Sequence, residues 1–583
     1  MISLDLHTTL ALTATVVVLY TVSLAVYRLY FHPLSKFPGS KLAALTLWYE
    51  FYYDVVKRGQ HIWQIEAMHK RYGPIIRLNP HEVHIDDPEF FDEIYTASSR
   101  PRDKYRWWTN LASAHGSGFS TVPHDLHRLR RGVLNPYFSK RSVVRLEPVI
   151  TAKISKLAKR LARASQASEV VRLDVAFMAL TTDILCSYAF ADDTGYLDEP
   201  DFKLEWKETI MGGFESGAMM RQFPWLLPMV MSLPIWFVEK GNKGAAYMMR
   251  WQGKVKRLVQ AVLDEKVDEK SSEDSQKKTM FHTLRDCDLP PSEKTLQRFC
   301  DEGEILLGAG GETTAKTLTT IIFYLLQNPA LLSRLRQELQ PVMPDPNSIP
   351  ECKILESLPY LSAVISEGLR LSYGVTTRLP RIAPTETLHY KGYAIPPGTP
   401  VSQTCYFVLM NPTIFPDPET FDPERWLDKE KRLDRYLVSF GKGSRQCLGI
   451  NLAYAELYLT AATLVSRFDF ELYETSLKDV QIKHDFFVAV PDLSSKGVRA
   501  TVKERSTPPT ANSGNMRGLK QIATPGPAYA ALVQAMDDNS ETDGDALDGG
   551  QVESTRRAVK AVEAATKALN DATKAIINEG TSS

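Results

Sequence analysis

A mainly α-helical fold with a small β region, preceded by one N-terminal transmembrane helix, is predicted by three features of the sequence. Apolar residues recur at helical spacing through residues 141–290 and again through 290–327. Only short stretches, 74–85 and 390–402, alternate in the manner of strands. Residues 8–27 form an uncharged apolar run of about the 20 residues that cross a bilayer as a helix. The chain has 583 residues and 44% hydrophobic content, enough for one large catalytic domain with a sizeable core. Lys plus Arg and Asp plus Glu both number 69, so no charge excess points to nucleic acid or a polyanion. The six cysteines are far apart and form no CxxC pair, which argues against a zinc site or a disulfide framework and fits a reducing compartment.

Arg28, Lys36 and Lys41 follow the apolar run and only Asp5 precedes it, so residues 1–30 read as an anchor with a lumenal N-terminus and a cytosolic remainder. A cleaved signal peptide is the rival reading, weakened by the missing basic n-region. His32-Pro33 to Pro38-Gly39 makes a stiff elbow, because each proline fixes its own φ and disfavours helix before it. A helix over 63–72 precedes two strands on either side of Asn79-Pro80. Residues 100–123 have no clear period and carry Trp107, Trp108 and Phe119, a loop that covers the surface or lines a pocket. On the helix that follows, His127 and Arg131 are four residues apart and share a face. A solvated basic face is the alternative there. Residues 211–236 are rich in Met, Phe, Trp and Pro, and 268–278 are a polar gap.

Pro290-Pro291-Ser292 signals the start of a helix that Asn328-Pro329 stops. Its middle reads Gly308-Ala309-Gly310-Gly311-Glu312-Thr313-Thr314. Glycines inside a helix cost about 1 kcal/mol each relative to alanine, so something requires them. Close approach of a flat ligand with a local opening of the helix is one reason, and close helix packing is the other. An alcohol beside an acid, Thr313 beside Glu312, can pass protons from bulk water to a reacting oxygen.

Near the end lies Phe440-Gly441-Lys442-Gly443-Ser444-Arg445-Gln446-Cys447-Leu448-Gly449, followed by an apolar helical stretch. Glycines on either side let backbone N–H groups and a helix N-terminus approach the sulfur, which suits a thiolate ligand. One thiolate on a haem leaves the opposite axial face free for dioxygen, and its electron donation favours O–O cleavage. Arg445 supplies a cation for a haem propionate and Phe440 an aromatic shield.

This stretch resembles the haem-ligand signature of the cytochrome P450 superfamily, with Phe440, Gly443, Arg445, Cys447 and Gly449 at the signature positions. Ala309, Gly310, Glu312, Thr313 and Thr314 are similar to its oxygen-activation motif, and Glu367-Gly368-Leu369-Arg370 to its ExxR motif. The resemblance covers residues 31–505 and implies the P450 fold, with heme b on Cys447 and with Thr313 and Glu312 as the proton relay. It further implies that Arg131, His127, Arg381 and Arg445 hold propionates, Arg378 being the competing choice for Arg381. Ala309 and Gly310 are expected to face the cofactor. Glu367, Arg370 and Arg425 are expected to form a buried network that steadies the Cys447 loop. Leu306, Val375, Thr376 and Phe487 are expected to border the substrate, and 211–236 to be a lid that also touches membrane.

The elbow and the 72–85, 127–140 and 373–381 stretches look most like fungal enzymes of secondary metabolism, among them trichodiene-oxygenase-like enzymes. The expectation is therefore a monooxygenase of the endoplasmic reticulum acting on a bulky apolar substrate, a terpenoid first and a polyketide next. NADPH-derived electrons would come from a separate cytochrome P450 reductase, with cytochrome b5 as an auxiliary donor. A reductase-independent isomerase or dehydratase and a non-catalytic haem sensor are the other classes, both with less use for Thr313. Residues 506–583 fall outside the resemblance: a disordered composition to 550, then an Ala-rich amphipathic helix over 552–577.

Overall fold

The computed structural model describes residues 6–112, 114–265 and 279–505. The 268–278 gap and the 506–583 tail lie outside the described residues. Helix α1 (Leu6–Val26) continues as one wider π-turn to Phe31, and none of its residues is buried. Helix α2 (His61–Tyr72) leads into the antiparallel pair β1 (Ile75–Arg77) and β2 (Val83–Ile85). Strand β3 (Asp103–Lys104) precedes α3 (His124–Leu134) and α4 (Lys140–Ala167), which Ser139 caps by accepting from the Ser142 N–H. After β4 (Val170–Arg172) come α5 (Leu173–Phe190) and α6 (Leu204–Gln222). Two short helices, α7 (Leu226–Met231) and α8 (Ile235–Gly241), precede α9 (Lys243–Asp264).

The long central helix α10 (Leu296–Gln327) starts later than its sequence suggests. Pro291–Glu293 forms a separate 3-10 turn, and Thr295 is the cap, accepting from the Arg298 N–H. Glu293 explains the break. Its buried carboxylate takes two bonds from Arg130 (2.6 and 3.0 Å) and one from Arg298 (3.1 Å), which holds the turn out of the helix line. The basic segment around His127 is accordingly not a wholly solvated face.

Helix α11 (Pro359–Ser372) packs on α10, and α12 (Ile450–Arg467) follows the cysteine loop. Strands β5 (Arg381–Ile382), β6 (Leu388–Tyr390), β7 (Tyr393–Ile395) and β8 (Pro400–Ser402) correct the expected 390–402 hairpin. The hairpin is β6–β7, turning at Lys391-Gly392, whereas β8 joins another sheet. Gly392 has φ +85°, a conformation that glycine adopts without strain. That sheet runs β1-β2-β8-β5-β3, with β8 parallel to β2 and Lys104 directly opposite Arg381. Strands β9 (Phe468–Leu472), β10 (His484–Phe486), β11 (Val488–Val490) and β12 (Arg499–Glu504) complete the β region.

Helix α5 is long and apolar enough to cross a membrane, but 89% of it is buried, so it is a core helix against α10. Glu50, Asp54 and His61 gather within 4.8 Å of one another. The two carboxylates already pair with Arg221 and Arg378, however, so the cluster reads as an ion-pair knot joining α6 to the N-terminal segment.

Candidate active site

The cysteine loop takes its shape from close backbone contacts. Gly443 has φ +72°, and a Cβ there would lie 2.2 Å from the Thr96 carbonyl oxygen. Only glycine fits, because the obstacle is backbone. The loop is stitched by Cys447 N–H to Phe440 O (2.9 Å) and Ser444 N–H to Thr96 O (2.9 Å). Phe440 stacks near Tyr454 at 5.3 Å, and Gly449 is the residue before α12. Cys447 is exposed and lines a cavity of about 1250 Å³. Burial pushes its thiol up, while the N–H of Gly449 and the charge of Arg131 pull it down. An added cation at the sulfur would turn that balance toward thiolate.

The cavity is also lined by Ala309, Gly310 and Thr313 from α10. The Thr313 hydroxyl donates to Ala309 O (2.8 Å), and α10 runs without interruption. The glycines serve mainly the second purpose considered for them. A Cβ on Gly310 would lie 2.7 Å from Leu185 Cδ2, and one on Gly311 3.0 Å from Thr182 Oγ1, both on α5. Gly308 alone meets nothing within 4 Å. Close helix contact, rather than a local opening, accounts for Gly310 and Gly311.

Glu312 does not reach solvent as the sequence suggested. It is 4% exposed and pairs with Lys207 of α6 at 3.1 Å, with Asp174 3.5 Å from the same ammonium. Burial works against the Lys207 charge, but Glu312 and then Asp174 outweigh it and raise its pKa. A helix turn places neighbouring residues on different faces, which is why Thr313 lines the cavity while Glu312 pairs behind it.

Three arginines and a histidine line the cavity together: Arg131 and His127 from α3, Arg381 from β5, and Arg445. Arg445 donates to Thr121 O (2.6 Å) and Val122 O (2.8 Å), leaving its buried Nε without a partner among the described residues. Burial, then Arg381, lowers it to about 9. His127 is buried with an unpartnered Nδ1, and burial followed by Arg445 lowers it to about 2. Arg378 takes no part. It is locked between Glu50 and Glu82 by four bonds of 2.8 to 2.9 Å. Partnerless buried donors and clustered cations in a cavity that Cys447 lines fit a dianionic, sulfur-ligated cofactor such as haem.

Leu306, Val375 and Phe487 line the cavity. Thr376 does not, being fully buried, whereas its neighbour Thr377 does; both hydroxyls donate to Asp485 Oδ1 (2.8 and 2.7 Å). Glu367 and Arg370 are fully buried and joined by bonds of 2.7 and 2.9 Å. Arg425 (3.2 Å) and the Trp426 indole (2.8 Å) also donate to Glu367. Between Glu367 and Arg370 in the chain, Leu369 O accepts from Ser439 Oγ (2.8 Å), which ties α11 to the cysteine loop. Sequence reasoning missed Lys104 and Glu456, both on the cavity wall. Burial pushes the Glu456 carboxyl well up, against a bond from Thr314. An acid on the apolar face of α12 was the available signal, whereas Lys104 sits in a stretch with no period.

The sequence profile described as Cytochrome P450 matches residues 44–495. Over 509 residues the chain is 45% identical to a cytochrome P450 monooxygenase of Ascocoryne sarcoides, covering 85% of this chain and 99% of that one. It is 44% identical to the tryptophan 6-hydroxylase of Fusarium equiseti, covering 84% and 96%. To the conidiogenone synthase of Penicillium rubens it is 45% identical, covering 84% and 98%. Matches of this extent and identity place the chain in the cytochrome P450 family, as a haem-thiolate monooxygenase of the kind found in fungal secondary metabolism.

Proposed function

We propose that this enzyme inserts one oxygen atom into a bulky apolar substrate, a terpenoid first, with heme b held through Cys447. The observation that carries the reading is a large cavity lined by Cys447 together with Ala309, Gly310 and Thr313. Arg131, Arg381, Arg445 and His127 would hold the propionates. Bound there, haem supplies the centre at which dioxygen is reduced and cleaved. The Thr313 hydroxyl, bonded to Ala309 O, would pass a proton within the cavity, with Glu312 behind it paired to Lys207. Apolar side chains such as Leu306, Val375 and Phe487 keep bulk water from the reacting carbon.

A terpenoid is supported by the cavity volume and by the similarity to conidiogenone synthase. A nitrogen-bearing aromatic substrate is the second reading, favoured by the similarity to a tryptophan hydroxylase. Spectral shifts on titrating terpenes, polyketides and indolic amines separate the two. Electrons from NADPH would arrive through a separate reductase, with cytochrome b5 assisting. Helix α1 would hold the protein in the endoplasmic reticulum membrane as a single span. Reduced protein under carbon monoxide should give the red-shifted Soret band of sulfur ligation, and Cys447→Ala should abolish it. Persistence of that band in the variant would overturn the assignment.

A further inference from the structure

We propose that Asp301 and Glu302, adjacent acids of α10, are positioning residues that hold the 114–122 loop by two of its backbone amides and so fix where Phe119 stands in the wall of the substrate cavity. The inference deepens the reading above and rests on it, because this wall matters only if the molecule to be oxidised lies in the same cavity. The Gly116 N–H donates to Asp301 Oδ2 at 2.7 Å, and the Gly118 N–H donates to Glu302 Oε2 at 2.9 Å. Both acids are buried, and both line the cavity together with Gly118 and Phe119. Neighbouring side chains on a helix point about 100° apart, which lets this pair take two amides that are not themselves adjacent.

Other amides of the loop bond within it. The Ser117 N–H donates to Ala114 O (3.1 Å), the Ser120 N–H to Ser117 Oγ (3.1 Å) and the Thr121 N–H to Ser117 O (3.1 Å). The loop thus makes its own turn and gives the Gly116 and Gly118 amides to α10, where losing an acceptor would leave a buried donor unpaired. Its backbone lies close on the helix. A Cβ on Gly116 would stand 2.7 Å from Asp301 Oδ2 and 3.3 Å from Arg298 Cα, and one on Gly118 would stand 3.3 Å from Glu302 Oε1. Each acid is itself held in place: Gln297 Nε2 donates to Asp301 Oδ1 at 2.7 Å, and Arg298, whose Nε goes to Glu293, stands 3.6 Å from Glu302.

What the clamp positions is aromatic. Phe119 stands 6.1 Å from Phe487 and 6.0 Å from Trp108, and Phe487 stands 5.7 Å from Phe214 of α6. Of these rings Phe119 is the one carried by the loop, a single residue after Gly118. Without its bonds to α10 the loop keeps its internal turn but no longer holds that ring against Phe487. A wall that is already ordered binds a bulky ligand without the cost of ordering it, so the clamp favours molecules large enough to reach Phe119.

The test uses the full-length, haem-loaded enzyme with Asp301→Ala and Glu302→Ala and the conservative counterparts Asp301→Asn and Glu302→Gln. Hydrogen exchange of residues 114–122 reads the clamp directly. Binding of imidazole and of 4-phenylimidazole, followed by the Soret shift, reads its consequence, since only the second carries a ring out into the cavity. Asp301→Ala should speed exchange at Gly116, and Glu302→Ala at Gly118, by about tenfold, because a charge-assisted bond is lost. Each should weaken 4-phenylimidazole about fivefold and leave imidazole within about twofold of wild type. Asparagine and glutamine keep an acceptor and lose the charge, so they should fall between wild type and alanine in both readouts. In a Phe119→Ala background the alanine changes should add nothing to the loss of 4-phenylimidazole affinity, because the acids act through that ring. Wild-type exchange at Gly116 and Gly118, a loss shared equally by the two azoles, or additivity with Phe119→Ala overturns the proposal. Should an alanine variant not accumulate, wild-type exchange and azole affinities in its conservative counterpart overturn it equally. A wild type whose Soret band neither azole moves would instead sink the haem reading, and exchange at the two glycines would still judge the clamp.

Discussion

Glu367 shows how one side chain can govern a distant ligand. Two guanidiniums, one indole and the Asp422 N–H all point at its carboxylate in a site with no water-accessible surface. Removing it leaves the buried Arg370 without a carboxylate and Arg425 with only Asp422 at 3.9 Å, a loss of about 3 to 5 kcal/mol. Because Leu369, next to Arg370, holds Ser439 at the start of the cysteine loop, that loss reaches the haem ligand. Glu367→Ala should therefore yield protein with little bound haem, read as the ratio of Soret to protein absorbance. Normal occupancy would show that the network does not support the loop. The spacing of Glu367 and Arg370 was a local signal of a pair on one helix face, whereas its burial and the share taken by Arg425 were expected only from the family resemblance. Lys104 gave no such signal, since its place comes from pairing with Arg381, hundreds of residues away and across a strand pair.

The helices meet at positions where a single methyl group is too much. A Cβ on Gly368 of α11 would lie 2.2 Å from Ile321 Cγ1 on α10. Gly368→Ala should force the two helices apart at a cost of about 1 to 3 kcal/mol. Adding Ile321→Ala should destabilise less than the sum of the two single changes, because both act on one contact. Simple additivity in thermal midpoints would contradict the clash. Helices α7 and α8 present the opposite situation, with Trp225, Met229, Ile235, Trp236 and Phe237 exposed together. Exposed aromatic and aliphatic side chains of this kind partition into a bilayer interface. A chain lacking residues 1–31 should thus still sediment with lipid vesicles, and Trp225→Ser with Trp236→Ser should release it; vesicle binding unaffected by the pair would remove these helices from the membrane.

The packed structure also sets how the protein answers acid. Burial holds His61 at about 3 and His69 at about 4, and His84, bonded to His69 at 2.7 Å, well below its usual range. The unfolded chain takes up these protons near 6.5, so their contribution is complete above that pH and is lost as the pH falls toward 4. Each such histidine adds a slope of about 1.4 kcal/mol per pH unit within its window. Asp54 and Asp86, held up at about 7 and about 6, act in the opposite sense, so the difference between variants is the informative quantity. His69→Gln should flatten the fall in thermal midpoint between pH 7 and pH 5 relative to wild type. Parallel profiles would mean that His69 is protonated in the fold.

Composition, periodicity and short motifs were enough for the helical class, the apolar N-terminal helix, the thiol loop and the acid-arginine pair, because each depends on residues within a few turns of chain. They could not supply the direction in which a side chain faces. Glu312 and Thr313 are neighbours in the chain, yet one pairs with Lys207 behind the helix and the other lines the cavity. Arg378 and Arg381 looked interchangeable until Glu50 and Glu82 claimed the first. The glycines of α10 read either as room for a ligand or as close helix packing, and Leu185 and Thr182 decide for packing at two of them. In each case the deciding partner comes from a segment remote in the chain, and only packing around a common core brings such segments within bonding distance.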